Sequence, residues 1–151
     1  MPIYMKYGDK TNGTSQNTRF PNYFDVTSMT WGVGRPYSHD GSVPGFLAEF
    51  FVSLTTAPNS PLFFQNVNES HTGETVIIVV TTAAGPNELI YQRYTLTESL
   101  LSSYSTSVDS VSGRPTEVIS INAPKVMLEQ FVNREDGTHP APGIVEMDIR
   151  I

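Results

Sequence analysis

Residues 46–80, FLAEFFVSLTTAPNSPLFFQNVNESHTGETVIIVV, predict a strand, a short helix and a second strand. In the first strand, 46–55, every second side chain is apolar, which indicates one face in a core. Ser60 and Pro61 predict the helix start, because the Ser side chain can accept a hydrogen bond from a helix N–H and Pro loses no needed donor there. The second strand, 76–80, is continuously β-branched and apolar, which is typical of a strand covered on both faces.

The rest of the chain reads mostly as strands and turns. Alternating apolar and polar residues, bounded by Gly, Pro and Asn, predict further strands at 3–7, 22–31, 89–96, 99–108, 117–122, 125–132 and 144–151. One helix between two of the most apolar strands predicts a mainly β protein, either a barrel or a sandwich. The long segment 32–45 holds four Gly and two Pro and is expected to be an exposed, functional loop.

Composition narrows the class of protein. A chain of 151 residues suits one domain with a sizeable core, and the absence of Cys excludes disulfides and thiolate chemistry. The net charge is −6 and the basic residues are scattered, which argues against nucleic acid as a ligand. No run approaches the length of a membrane span, and the first residues lack an export signal. We therefore expect no membrane partner.

The sequence shows no convincing catalytic or metal site. His39, His71 and His139 fall in predicted loops or at a helix end, and none has a second ligand at a zinc-type spacing. A nucleophile motif such as G-x-S-x-G is absent, and Gly32-Val-Gly34 is too short for a phosphate loop. We predict that the protein is not an enzyme and that it needs no cofactor or metal.

Some apolar side chains lie on the second face of the predicted strand 46–55. Leu47 and Phe51 must be covered by the helix or by another subunit, and the two-sided apolarity around Ile78 adds to that surface. We expect these three residues to contribute to a subunit interface. An alternative of another class is a monomeric β-barrel carrier, in which Trp31 and the nearby Phe residues line a pocket for an apolar ligand.

Six short stretches occur in an order and spacing that resemble a known family. They are Met1-x-Ile-Tyr-Met-Lys, Ser28-Met-Thr-Trp-Gly-Val33, Ser60-Pro-Leu62, the apolar strand after Gly73-Glu-Thr75, Tyr91-x-x-Tyr-Thr-Leu96 running into a Ser-rich strand, and Glu117-Val-Ile-Ser-Ile-Asn122. Together they resemble the Hcp family, the tube components of bacterial type VI secretion systems, related in fold to phage tail tube proteins. The resemblance covers roughly residues 3–132.

This resemblance implies a small β-barrel of two packed antiparallel sheets with one short α-helix on its side. It places the barrel domain in residues 1–132 and leaves 133–151 as a C-terminal extension, in which the residues themselves predict one further strand at 144–151. It implies a homo-hexameric ring, stacking into a hollow tube, and partners among a VgrG-type spike, sheath proteins and effectors carried in the lumen. Such a protein is made in the cytoplasm and then secreted through the type VI apparatus.

Two surfaces follow from the resemblance. The loop after the Trp-Gly-Val strand implies a ring-stacking loop formed by Arg35, Pro36, Tyr37, Ser38, His39 and Asp40. The hydroxyl ladder of Ser103, Ser105 and Ser107 fits a lumen or a subunit seam, since either surface must avoid unpaired buried charge. An alternative close in architecture is the tail tube of a phage or of a phage-derived contractile injection particle.

Overall fold

The computed structural model describes most of the chain. The described residues are 1–9, 11–32, 48–69, 73–82, 88–111, 113–131 and 143–148. Within them the strands are β1 Ile3–Tyr7, β2 Phe24–Gly32, β3 Ala48–Thr55, β4 Glu74–Thr81, β5 Ile90–Ser107, β6 Thr116–Ala123, β7 Lys125–Gln130 and β8 Gly143–Asp148. The helix is α1 Pro61–Asn68. A mainly β fold with one short helix is confirmed.

The strands close into an antiparallel barrel. The order β4-β1-β2-β3-β6-β5 returns to its start because β5 also pairs with β4. Strand β7 extends from the first half of β5, and β8 pairs with β7 beyond it. Closure pairs most of the strand edges of these six strands with each other, and the six strands together surround the core.

The barrel encloses one apolar core. Aromatic rings fill much of it: Trp31 stacks on Phe50 at 5.2 Å, and Phe63 from α1 meets Phe24 at 5.0 Å. The fully buried aliphatic side chains around them are Val52, Leu54, Val76, Ile78, Leu96, Ile119, Ile121 and Val126. Each such side chain stabilises the fold by roughly 1.5–3 kcal/mol relative to leaving it in water. Of the aromatics in the carrier hypothesis, Trp31, Phe50 and Phe63 pack in this core, whereas Phe51 and Phe64 are exposed.

Strand β4 is covered on both faces, as its sequence predicts, and the chain itself supplies the cover. Val76 and Ile78 belong to the barrel core, whereas Val79 packs with Tyr4 and Phe20 in a second cluster. The inference that this strand needs a neighbouring subunit is therefore wrong. The segment before β2, which carries Phe20, covers the outer face because it folds back over β1 and β4.

Buried hydrogen bonds hold that covering segment in place. The Glu88 carboxylate, 2% exposed, accepts from the Asn17 amide at 2.6 Å and from the Thr81 hydroxyl at 2.5 Å. The same Asn17 nitrogen donates to the Tyr4 hydroxyl at 3.0 Å. Both oxygens of this buried carboxylate are thus used, which offsets the cost of removing it from water.

The segments predicted as strands at 89–96 and 99–108 form one strand, β5. Its halves have different partners, since the first half lies between β4 and β7 and the second half pairs with β6. Glu98 lies between them with a positive φ of 56°, a conformation that L-residues rarely adopt. The backbone of Glu98 also touches Gly73, where a Cβ would lie 2.5 Å from the Glu98 Cα.

Helix α1 begins at Pro61 as the sequence predicts, but Ser60 acts differently from its predicted role. Its hydroxyl makes no cap to the helix and instead accepts from the Ala57 N–H at 2.9 Å. Ser60 has helical backbone angles, so its side chain points back over the preceding turn. It therefore stabilises the entry turn, while burial of Phe63 anchors the helix to the core.

We expect Gly73→Ala to destabilise the protein by about 1–3 kcal/mol, because the new methyl group would overlap the Glu98 backbone. Urea unfolding of the two proteins measures the difference. Gly32→Ala is the matched control, since a Cβ there meets nothing within 4 Å, and its effect should stay within about 0.5 kcal/mol. Equal stability of the Gly73 variant and wild type would contradict the close approach.

Candidate assembly surface

Four strand segments form a sheet face that points away from the core. One row of paired residues crosses it, from Thr30 on β2 to Phe51 on β3, Ser120 on β6 and Ser103 on β5. Their sequence neighbours, such as Val52 and Ile119, point into the barrel. Because strand side chains alternate between faces, this row fixes which residues share the outer surface.

Hydroxyl groups dominate this surface, which we call the hydroxyl face. The fourteen paired residues on this side of the sheet are Ser28, Thr30, Ser53, Thr55, Ser103, Ser105, Ser107, Thr116 and Ser120, which have hydroxyls, and Glu49, Phe51, Leu100, Val118 and Asn122, which do not. Ser120 is only 3% exposed, and the bulge residue Ser102 adds an exposed hydroxyl that donates to Glu49 at 3.1 Å. Glu49 carries the one charge among these fourteen. A face this poor in charge is suited to contact with other protein, because hydroxyls cost less to desolvate than charges.

The centre of the hydroxyl face combines a hydrogen bond with exposed apolar groups. The hydroxyl oxygens of Ser103 and Ser120 lie 2.6 Å apart and share a hydrogen bond. Around this pair, Phe51 is 45% exposed, Leu100 50% and Val118 36%. Exposed apolar side chains grouped in this way are typical of surfaces that contact another molecule.

A β-bulge changes the face assignment that simple alternation gives for β5. Alternation puts Leu101 on the same side as Ser103, but the register shifts between these two residues. Leu101 and Tyr104 therefore both point toward the core, while Leu100 joins the serines outside. The three serines share one side, as their spacing predicts, but simple alternation would wrongly add Leu101 to that side.

The sheet that carries the hydroxyl face has two open edges within the described residues. On β2, residues 28–32 pair with β3 but not with β1, which ends its pairing at Val26. On β5, residues 100–107 pair with β6 alone. Unpaired backbone groups along such edges are a template for binding another strand.

The two open edges have compatible directions. β2 runs antiparallel to β3, β3 to β6, and β6 to β5, so β2 and β5 point in opposite directions. The edge of β5 in one copy would therefore meet the edge of β2 in the next copy as an antiparallel pair. Antiparallel pairing is the geometry with the more favourable hydrogen bonds.

A buried carboxylate lies close to the open edge of β5. Glu117 is 3% exposed and points into the barrel, beside Thr106 on β5. Its Oε1 accepts a hydrogen bond from the Tyr104 hydroxyl at 2.9 Å, and the Tyr104 ring meets Phe64 of α1 edge-on. Burial is the larger cause that raises the pKa of Tyr104 to about 12, and the hydrogen bond and charge of Glu117 are the smaller causes.

Glu117, Tyr104 and Thr30 were not singled out from the sequence. For Glu117 a signal existed, because the alternation through Ile119 and Ile121 places it on the core side. For Thr30 none existed, since its importance comes from an edge that pairing with β1 leaves open. Edges depend on strand lengths and partners that one sequence does not reveal.

The predicted site residues have different positions. Phe51 is exposed at the centre of the hydroxyl face, and Ser103, Ser105 and Ser107 lie beside it, whereas Ile78 is fully buried in the core and offers no surface to a neighbour. Outside the described residues lie Leu47, the predicted stacking loop (Arg35, Pro36, Tyr37, Ser38, His39 and Asp40) and the histidines His71 and His139.

The described part of the chain contains no group of three or more acidic, His or Cys side chains that could hold a metal ion. In those same segments, the helix is too short to cross a membrane.

Comparison with known proteins decides the family. The family model described as "Type VI secretion system effector, Hcp" matches residues 4–129. The chain belongs to the Hcp family. Its membership supports a type VI secretion tube protein, and the match spans the whole barrel through β7.

Solved Hcp structures share the fold of this Hcp-family chain. A type six secretion system protein superposes with a TM-score of 0.83 at 20% identity, covering 98% of this chain and 95% of the other. Hcp1 from Salmonella typhimurium gives 0.78 at 22% identity, with 98% and 94% covered. Hcp3 from Pseudomonas aeruginosa gives 0.64 at 15% identity, with 99% of each covered. No curated protein sequence matches the chain.

Tyr104→Phe tests the titration beside Glu117 in this Hcp-family barrel. The folded Tyr104 phenol, with a pKa of about 12, keeps its proton at pH values where the unfolded phenol, with a pKa of 10.0, has lost it. The stability that this group contributes is therefore complete below pH 10.0 and is lost as the pH rises toward 12. We expect wild type to lose stability more steeply over that window than the variant, measured by urea unfolding at successive pH values. Tyr7, whose pKa burial also raises, is present in both proteins. Equal slopes would contradict the assignment.

Proposed function

We propose that the protein is a non-enzymatic structural subunit of a type VI secretion tube. Six copies join edge to edge in a ring, the hydroxyl faces line the central channel, and the rings stack into a hollow tube. The observation that carries this proposal is the pair of open edges, 28–32 and 100–107, on the sheet that bears the hydroxyl face. The ring number of six comes from the family resemblance.

The two edges favour a ring because they differ from each other. A contact between β2 of one copy and β5 of the next is heterologous, so each added copy again presents one edge of each kind. Repetition around an axis closes a ring when the rotation per copy divides a full turn. The hydroxyl faces of successive sheets then form one continuous wall.

The chemistry of the hydroxyl face supports its position in the channel. A channel that passes folded cargo must stay hydrated without holding the cargo by strong charge pairs. Serine and threonine hydroxyls bind water, and Glu49 adds the one charge among the fourteen outward residues. The apolar group around Phe51 provides weak contacts for effectors carried in the lumen.

Further partners follow from the family. Residues 33–47 connect the end of β2 with the start of β3, and we propose that 35–40 contact the neighbouring ring in the stack. The VgrG-type spike caps the tube, sheath proteins surround it, and the subunit leaves the cytoplasm through the type VI apparatus. Leu47 remains a proposed contact between copies, whereas Phe51, on the inner strand β3, faces the channel in this ring.

Electron microscopy and native mass spectrometry of the purified protein test the ring directly. We expect rings with a central hole and a mass of six chains. A monomer at every concentration would overturn the proposal, and a monomer that copurifies with a small apolar molecule would favour the carrier instead. Rings encoded beside phage tail genes would favour the tail tube of a phage-type particle.

Paired charges test which edges meet. Thr30 and Ser105 face outward on the two edge strands and lie more than three strand spacings apart in one chain, over about 14 Å, because Thr30 shares its row with Ser103. We propose that they come close when β5 of one copy pairs with β2 of the next. We expect the like-charged Thr30→Asp/Ser105→Asp protein to form fewer rings at low salt than Thr30→Asp/Ser105→Lys, because opposite charges across a strand pair attract. Native mass spectrometry measures the ring fraction.

High salt is the control for this charge test, since screening should reduce the difference between the two proteins. Both proteins should unfold at similar urea concentrations as single chains, because the two positions do not touch within one chain. Equal ring fractions at low salt would contradict the pairing of β5 with β2.

A single introduced thiol tests whether the hydroxyl face lines the channel. The natural chain has no Cys, so Ser105→Cys and the matched control Asn68→Cys each carry one reactive group. Both residues are exposed in the single chain. We expect a bulky maleimide polymer to label Ser105→Cys much more slowly in rings than in monomers, and to label Asn68→Cys on α1 at similar rates in both. Because Ser105 lies on the edge segment of β5, slower labelling in rings fits a position on the channel wall or at the seam beside it, and equal rates in the two states would contradict both.

A further inference from the structure

Glu117 is an exception among the buried carboxylates of the described residues. Glu88 uses both of its oxygens, and Glu129 receives two hydrogen bonds from Arg93, at 2.9 and 3.1 Å. In Glu117 the atom Oε2 is buried and has no hydrogen-bond partner in the described part of the chain. A buried carboxylate oxygen without a donor costs free energy, because folding removes it from water.

The other oxygen of Glu117 has one firm donor. The Tyr104 hydroxyl donates to Oε1 at 2.9 Å. The Thr56 hydroxyl lies 3.5 Å from the same oxygen, but it also lies 2.9 Å from the Pro115 carbonyl. A hydroxyl has a single proton, and the shorter contact takes it. The charge of Glu117 therefore rests on one neutral hydrogen bond.

The position of Glu117 shows where a donor can enter. Glu117 pairs across the sheet with Thr106, a short and exposed side chain on the open edge of β5. The strand docked on that edge in the proposed ring, residues 28–32 of the next copy, would lie two strand spacings from β6, about 10 Å. It holds no Lys or Arg, so the long side chain must come from a segment of that copy next to β2. Phe64 borders this path and is 59% exposed, so its ring can turn aside.

We propose that Glu117 accepts a charge-assisted hydrogen bond from a Lys or Arg side chain of the neighbouring copy. Ring closure then supplies the hydrogen bond that Oε2 lacks within a single chain. This inference rests on the proposed ring. A cation is the donor that best matches a buried carboxylate, because a charge-assisted hydrogen bond is stronger than a neutral one.

Glu117→Gln separates assembly from folding. It keeps the shape of the side chain and removes its charge, so we expect the single chain to be as stable as wild type in urea or more stable. We expect the concentration needed for half-assembly to rise roughly tenfold or more, because the neighbour's cation then lies unpaired in the seam. Mass photometry across a dilution series measures that concentration.

Glu129→Gln is the matched control, because it removes another largely buried carboxylate, 9% exposed, that already has its cation within the chain. We expect it to lower the stability of the single chain and to leave the concentration for half-assembly within about twofold of wild type. The opposite signs of the two variants distinguish an assembly role from a purely structural one. Increasing salt should weaken assembly of wild type more than that of the Glu117 variant.

A wild-type ring solved at side-chain resolution gives a second measurement that needs no variant. We expect a Lys or Arg nitrogen of the adjacent copy within hydrogen-bond distance of Glu117 Oε2. If rings form and that atom contacts only its own chain or a water, or if Glu117→Gln assembles as wild type does, the inference is overturned while the ring stands. A wild-type chain that never forms rings overturns the proposed function as well.

Discussion

The close approach of Gly73 to Glu98 is the constraint on which the rest of the structure depends. It marks the point where β5 passes from one set of partners to another, with Glu98 in a left-handed conformation. Because β5 continues beyond this point, its second half extends past the end of β4 and leaves an edge unpaired. Barrel closure and the assembly surface thus come from one long strand.

Local patterns in the sequence predicted most of the fold. Alternation located the strands, Ser60-Pro61 located the helix, and the apolar run of β4 indicated cover on both faces. The sequence did not show that Phe20 supplies this cover, because a contact between a loop and a distant strand has no periodic signal. The prediction of two strands in place of β5 failed because the regular alternation stops near Glu98, and such a stop looks like a strand end when the partners of the strand are unknown.

The assembly surface was predictable in composition and less so in geometry. The Ser103, Ser105 and Ser107 ladder is visible in the sequence, but the bulge that places Leu100 beside it depends on pairing with β6. Phe51 was recognised because its neighbours on the same side are polar, while Ile78 misled because a covered strand and an interface strand have the same composition. Edges are properties of the folded sheet, and they appeared only with its topology.

The unlike edges of the sheet also give an assembly a direction. In a ring closed through β2 and β5, every copy has the same orientation along the axis, so all connections between β2 and β3 emerge at one rim and all copies of α1 follow the same sense around the ring. The two rims are then chemically different surfaces. A stack of such rings is a polar filament. Its two ends expose different rims, so the next ring binds to each end through a different surface.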